Sequence, residues 1–71
     1  MRLSHRQIVG QNIRACRKQA RLTQEKLAEK AELTYKYVGE VERGVVNISL
    51  DSLVRIAKAL RVKLRDLIGE V

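Results

Sequence analysis

LTQEKLAEKAELTYKYVGEVERG, Leu22 to Gly44, sets two short helical patterns end to end. The first places apolar residues at Leu27, Ala28 and Ala31, and the second at Val38 and Val41. These intervals put residues on one face of an α-helix. Leu33-Thr34 lies between the two patterns and leaves no room for a loop. Thr23 and Thr34 stand where N-caps are needed, which predicts helices over 24–31 and 35–42. Arg43-Gly44 ends the second, the Gly being suited to a left-handed stop.

The same reading extends outward. Ser4 followed by Gln7 is a capping-box start, and a first helix is expected from His5 to Ala20 with Val9, Ile13, Cys16 and Ala20 as its inward stripe. Cys16 on that stripe reads as a small core hydrophobe rather than a reactive thiol. Beyond Gly44, Val45 to Ile48 is a loop, and Ser49 caps a helix over 50–61. Its stripe is Leu50, Leu53, Ala57 and Leu60, with Ile56 beside it. Asp51 sits in the first turn of that helix, favourable to its dipole, four residues before Arg55. A last helix over 63–69 carries Leu64, Leu67, Ile68 and Val71 on one side. With no internal repeat, linker or low-complexity segment, residues 1–71 are expected to form a single all-α domain of five helices.

Composition agrees. Leu, Ala, Lys, Arg, Glu and Gln dominate, Pro is absent and aromatics are 3%, a balance that favours helix. A hydrophobic content of 45% supports folding. Yet 71 residues make a marginal domain. One Cys and one His provide no disulfide framework or metal cluster to help, so a homodimer is expected on stability grounds alone. Fifteen Lys+Arg against eight Asp+Glu give a net charge of +7, a field suited to a polyanion. No apolar run approaches the roughly 20 residues of a membrane span. The N-terminal MRLSHRQIVG lacks the apolar core of a signal peptide. Asn47-Ile48-Ser49 is then a chance match to a glycosylation acceptor, and the lone Cys16 fits a reducing cytoplasm. Ser4-His5 is the only Ser–His neighbour pair, at the N-terminus. No Gly-rich phosphate loop or paired-carboxylate pocket is present. Neither catalysis nor a cofactor or metal site is expected.

Leu22 to Gly44 resembles the helix-turn-helix of the phage repressor and Cro-type (Xre-type) family. Gln24 opens the first helix of that motif. Leu27, Ala31, Leu33, Val38 and Val41 fall at its buried positions, and Ala28 falls where a small residue lets the helices cross closely. Glu42-Arg43-Gly44 matches the Glu-Arg-Gly that follows the second helix. Ile13-Arg14 and Arg17 match the family's first helix. Asn47 to Leu50, Leu53, Ile56-Ala57 and Ala59-Leu60 match its fourth, and Val62, Leu64 and Leu67 its last. Three positions depart from the pattern. Glu32 and Arg21 stand where Gly is usual, and a left-handed non-Gly residue costs about 1 kcal/mol. Gly39 inside the second helix costs about as much relative to Ala; it reads as a tolerated Gly or as one that lets the backbone approach DNA closely.

The resemblance implies a five-helix, lambda-repressor-like domain whose motif, residues 24–43, binds double-stranded DNA with the second helix in the major groove. With Val38 and Val41 inward, Lys36, Gly39, Glu40 and Arg43 point away, flanked by Tyr35 and Tyr37. Tyr35, Lys36 and Glu40 are the candidates for base edges. Lys36 suits guanine O6 and N7. Glu40 has two readings, acceptance from cytosine N4 or pairing with Lys36 one turn earlier. Tyr35 and Tyr37 suit phosphate or a thymine methyl, and Tyr37 alternatively a core-edge ring. Gln24 and Thr34, at helix N-termini, suit phosphate, and Arg43 and Asn47 border a loop that tracks the DNA backbone in relatives. Arg17 and Glu42 are implied to form a partly buried ion pair that aims the second helix. Arg14, Lys18, Arg55, Lys58, Arg61 and Arg65 read as solvated faces adding long-range attraction. Leu64, Leu67, Ile68 and Val71 form a seam wider than one small core needs; they are the candidate dimer face, with part of the seam open to packing on the chain's first helix.

The implied function is a dimeric, sequence-specific regulator acting at a pseudo-palindromic operator. With no ligand-sensing domain or small-molecule effector evident, control is expected through its own concentration. In length, and over Tyr37 to Asn47, the chain resembles the restriction–modification controllers, and a Cro-like repressor fits as well. A DNA-binding antitoxin is the alternative, and a cationic membrane binder is a third class that the capped, polar motif argues against.

Overall fold

The computed structural model describes residues 2–69. Five helices follow in order: α1 (His5–Gln19), α2 (Gln24–Ala31), α3 (Tyr35–Glu42), α4 (Leu50–Leu60) and α5 (Leu64–Ile68). Each of the first four starts on the hydroxyl expected of it. Ser4 Oγ accepts from Gln7 N–H at 3.2 Å while Gln7 Oε1 accepts from Ser4 N–H at 2.8 Å. Thr23 Oγ1 accepts from Lys26 N–H at 3.0 Å, Thr34 Oγ1 from Tyr37 N–H at 3.0 Å, and Ser49 Oγ from Ser52 N–H at 3.1 Å. These bonds satisfy N–H groups that have no partner inside their helix. At α5 an Asp66 carboxylate oxygen accepts from Lys63 N–H at 2.9 Å.

The first four helices also end alike. An N–H donates back over five residues to a carbonyl: Leu22 to Arg17, Leu33 to Ala28, Val45 to Glu40 and Val62 to Ala57, at 2.8–3.1 Å. This closure puts the residue before each donor in the left-handed region. Gly44 takes it freely at φ +73°, but Arg21 (+59°), Glu32 (+57°) and Arg61 (+58°) carry side chains there. The expected strain at Arg21 and Glu32 is therefore present, and Arg61, expected as the last helical residue, is a third instance. Leu22, Leu33 and Val62, the donors that follow, pack against the core. Replacing Glu32 or Arg61 by Gly is expected to stabilise the fold by about 0.5–1 kcal/mol each, read as a higher urea midpoint; a lower midpoint contradicts the strain.

One core holds the bundle: Ile13, Leu27, Ala28, Ala31, Val38, Val41, Leu53, Ile56, Ala57, Leu60 and Leu67. Two expected members are absent. Ala20 is exposed because α1 has ended before it. Leu50 is 66% exposed because it opens α4, ahead of the turn that reaches the core at Leu53. Asp51 and Arg55 form no ion pair; among the described residues the ion pairs are Arg17–Glu42 and Lys26–Glu29. Cys16 packs at the core edge. Burial pushes its thiol pKa up and the Asp66 carboxylate adds to this, the direction that disfavours the nucleophilic thiolate.

Two features fix α1 against its neighbours. Gly10 lies so close to the end of α3 that a Cβ there would stand 2.4 Å from Val41 O and 2.8 Å from Glu42 O. Asn12 Nδ2 donates to Leu67 O at 2.9 Å and Gly69 O at 3.0 Å, tying the end of α5 to α1. The seam on α5 is thereby divided. Leu67 is 0% exposed and belongs to the chain's own core, which corrects its placement on a dimer face. Leu64 is half-buried, Ile68 stays exposed, and Val71 lies outside the described residues.

Candidate nucleic-acid interface

α2 and α3 meet through Leu27, Ala28, Ala31 and Val38, all buried, across the turn at Glu32–Thr34. That packing turns the opposite side of α3 outward. Tyr35 and Lys36 in its first turn and Arg43 at its end are exposed, with Glu40 half-exposed between them. Thr34 is exposed at the N-terminus of α3, its hydroxyl already engaged as the cap. Tyr35 borders a shallow groove with Thr23, Lys26 and Leu33. Tyr37 faces the other way, beside Leu33 and Ser52, and packs against the core; its ring is the core-edge ring that the sequence left as one reading.

The charges on this side are not neutralised locally. Lys36 and Glu40 form no ion pair, against one of the two readings of Glu40. An exposed pair at this spacing gains only tenths of a kcal/mol, which does not hold two flexible chains together. Among the described residues neither Lys36 nor Arg43 has a carboxylate within ion-pair distance.

Behind the exposed side lies a buried polar network. Arg17 Nε donates to Glu42 Oε2 at 2.7 Å and Arg17 Nη2 to Glu42 Oε1 at 3.1 Å. Arg17 Nη1 donates to Leu22 O at 2.8 Å. The two side chains are 11% and 2% exposed. Gln24 Nε2 adds a third donor to Glu42 Oε1 at 3.0 Å. One carboxylate on α3 is thus held bidentately from α1 and again from the start of α2. A fork of this kind fixes orientation as well as distance. Gln24, expected as a phosphate contact, spends its amide N–H on this network. Nothing in its local sequence indicates that use, because its partner is 18 residues away.

Asn47 is exposed in the loop after α3. It lines a depression with Arg6, Val9, Val46 and Ile48, bringing the start of α1 beside that loop. Sequence reasoning assigned Arg6 no part there; its proximity comes from the crossing of α1 over α3. No helix of the described residues is long and apolar enough to cross a membrane.

Known proteins share this arrangement. A family model described as Helix-turn-helix matches residues 13–67. An immunity repressor of Bacillus phage phi105 is 45% identical over 62 residues, covering 87% of this chain and 43% of the repressor. The chain thus spans less than half of that relative's length. Control protein C.BamHI of Bacillus amyloliquefaciens is 41% identical over 64 residues, covering 89% of this chain and 79% of the control protein. Among solved structures, the restriction-modification controller protein C.AhdI from Aeromonas hydrophila superposes with a TM-score of 0.85 at 40% identity, covering 87% of this chain and 94% of that one.

Proposed function

The chain belongs to the helix-turn-helix family, and from that premise we propose that it is a sequence-specific DNA-binding transcriptional regulator, a homodimer acting at a pseudo-palindromic operator. One observation carries the reading. α3 is locked from behind by Arg17, Glu42 and Gln24, while its outward side holds Lys36 and Arg43, unpaired among the described residues, in a chain of net charge +7. A rigid helix presenting free cations beside hydrogen-bonding side chains suits the major groove.

In this reading Tyr35, Lys36 and Glu40 face base edges. Thr34, Arg43 and Asn47 lie against phosphates, which set register without reading sequence. Gln24 contributes by holding α3, with its carbonyl left for the DNA side, and Tyr37 supports the face from its edge. Of the candidate dimer face, Ile68 and the half-buried Leu64 remain among the described residues for a second copy; Val71 extends that stripe in sequence. The names of the relatives, an immunity repressor and a control protein, support a regulatory role, and regulation through the protein's own concentration is the form proposed for it. Such a regulator works in the cytoplasm, where its DNA lies, and calls for neither catalysis nor a cofactor.

Lys36→Ala tests the assignment. Binding to the preferred duplex is expected to weaken by about 1–3 kcal/mol, with preference relaxed at one position. Asn47→Ala is expected to weaken binding evenly across sequences. Fluorescence anisotropy against a set of single-base variants separates the two patterns. Unchanged affinity and unchanged preference in Lys36→Ala contradicts the orientation proposed for α3.

A further inference from the structure

We propose that Gly39 is a positioning residue: the absent side chain is the seat on which the Arg43 guanidinium lies, and so sets how Arg43 is presented to DNA. The inference rests on the DNA-binding reading above and adds a residue to which that reading gives no role.

Gly39 lies in the middle of α3, where Gly weakens a helix. The usual reasons for Gly are absent. Its backbone is helical, with no positive φ. It is buried, but under side chains rather than against backbone. A Cβ at Gly39 would meet no backbone atom, only Arg43 Nη1 at 3.3 Å and Gln24 Oε1 at 3.9 Å. Gly10 in the same fold shows the contrast, since its nearest neighbours are carbonyl oxygens of α3. What occupies the space over Gly39 is the end of one long cationic side chain, one turn further along the helix.

That space has a fixed wall. Gln24 is anchored by its Nε2, which donates to Glu42 Oε1 at 3.0 Å, and Glu42 is held by Arg17. With its nitrogen committed, the Gln24 carbonyl is turned toward Gly39. The Arg43 guanidinium therefore lies close along α3 rather than extending from its end, on the side that carries Lys36 and Glu40. A methyl group at position 39 leaves the fold intact, because Arg43 can swing away, but it displaces the guanidinium. Ordering a long cation in advance lowers the entropy lost when it meets its partner.

The experiment compares the full chain with Gly39→Ala, Arg43→Ala and the double variant. Binding is measured by anisotropy on the duplex that the unsubstituted chain selects from a random pool. Gly39→Ala is expected to raise Tm by about 4–8 °C through helix propensity and yet to weaken DNA binding roughly ten-fold. In the Arg43→Ala background the same substitution should change affinity by less than about two-fold, since the two residues act as a unit. A full-size loss that persists without Arg43 overturns the proposal, because the methyl would then be meeting the DNA itself. So does a Gly39→Ala variant that binds like the unsubstituted chain. If the unsubstituted chain selects no duplex, the DNA-binding reading fails first and this inference with it; that failure shows before any substitution is made.

Discussion

Arg17→Ala is expected to lower unfolding stability by about 3–5 kcal/mol, the cost of stranding one member of a buried pair. The Glu42 side chain is 2% exposed, and without Arg17 it keeps, among the described residues, only the Gln24 amide as a donor. Because a domain of this size has only about 5 kcal/mol or somewhat more in total, the variant should lose most of its margin against unfolding near room temperature. Urea denaturation followed by circular dichroism measures the effect. The Arg17→Met, Glu42→Met double variant should recover most of the loss, since removing both charges leaves none buried alone. The exposed pair provides the control: Lys26 and Glu29 are 53% and 74% exposed, and Lys26→Ala should cost less than about 0.5 kcal/mol. A loss in Arg17→Ala no larger than that control contradicts the structural role assigned to the network.

Gly10→Ala is expected to cost about 3 kcal/mol, at the upper end for overpacking. The added methyl would sit 2.4 Å from Val41 O and 2.8 Å from Glu42 O. Those oxygens belong to helix backbone and cannot swing aside as a side chain does. Either α1 moves away from α3 or the end of α3 unwinds, and both disturb the Arg17–Glu42 bonds a short distance away. The loss should therefore appear twice, as a lower urea midpoint and as weaker DNA binding in whatever fraction stays folded. In an exposed helix Gly→Ala stabilises by up to about 1 kcal/mol, so a gain at Gly10 means that the close helix crossing is absent in solution. Gly10 and Gly39 thus make an opposed pair, the same substitution predicted to destabilise at one and stabilise at the other.

What the sequence revealed and what it hid follow from the range of the interactions. Helix starts were legible because Ser4, Thr23, Thr34 and Ser49 bond to N–H groups three residues on. The buried faces of α2 and α3 were legible because helical spacing places them. The Arg17–Glu42 pair came from family resemblance, as no spacing rule joins residues 25 apart. Gly10, Asn12 and the partner of Gln24 stayed hidden for the same reason; Asn12 reaches 55 residues along the chain. Gly10 did leave a trace, since a Gly inside a strong helical pattern with no turn to make often marks a close approach. Leu67 was misplaced because a stripe of apolar residues shows that a face is buried without saying by what. Short α5 lies against α1 through Leu67 and Asn12, leaving only the flanks of that stripe for a second copy. The left-handed Arg61 was missed because a charged residue carries no local preference for that conformation. The apolar Val62 after it, packed against the core, was the available signal.

The central claim is that α3 reads DNA as one of a symmetric pair. The most direct test is to titrate the chain, at several salt concentrations, into a pool of random duplexes, sequence what is retained and determine the mass of the retained complex. The account predicts an inverted repeat with half-sites about one helical turn, roughly 34 Å, apart, bound by two chains. Retention that enriches no sequence and falls steeply with salt contradicts it, because only the +7 charge would then be acting.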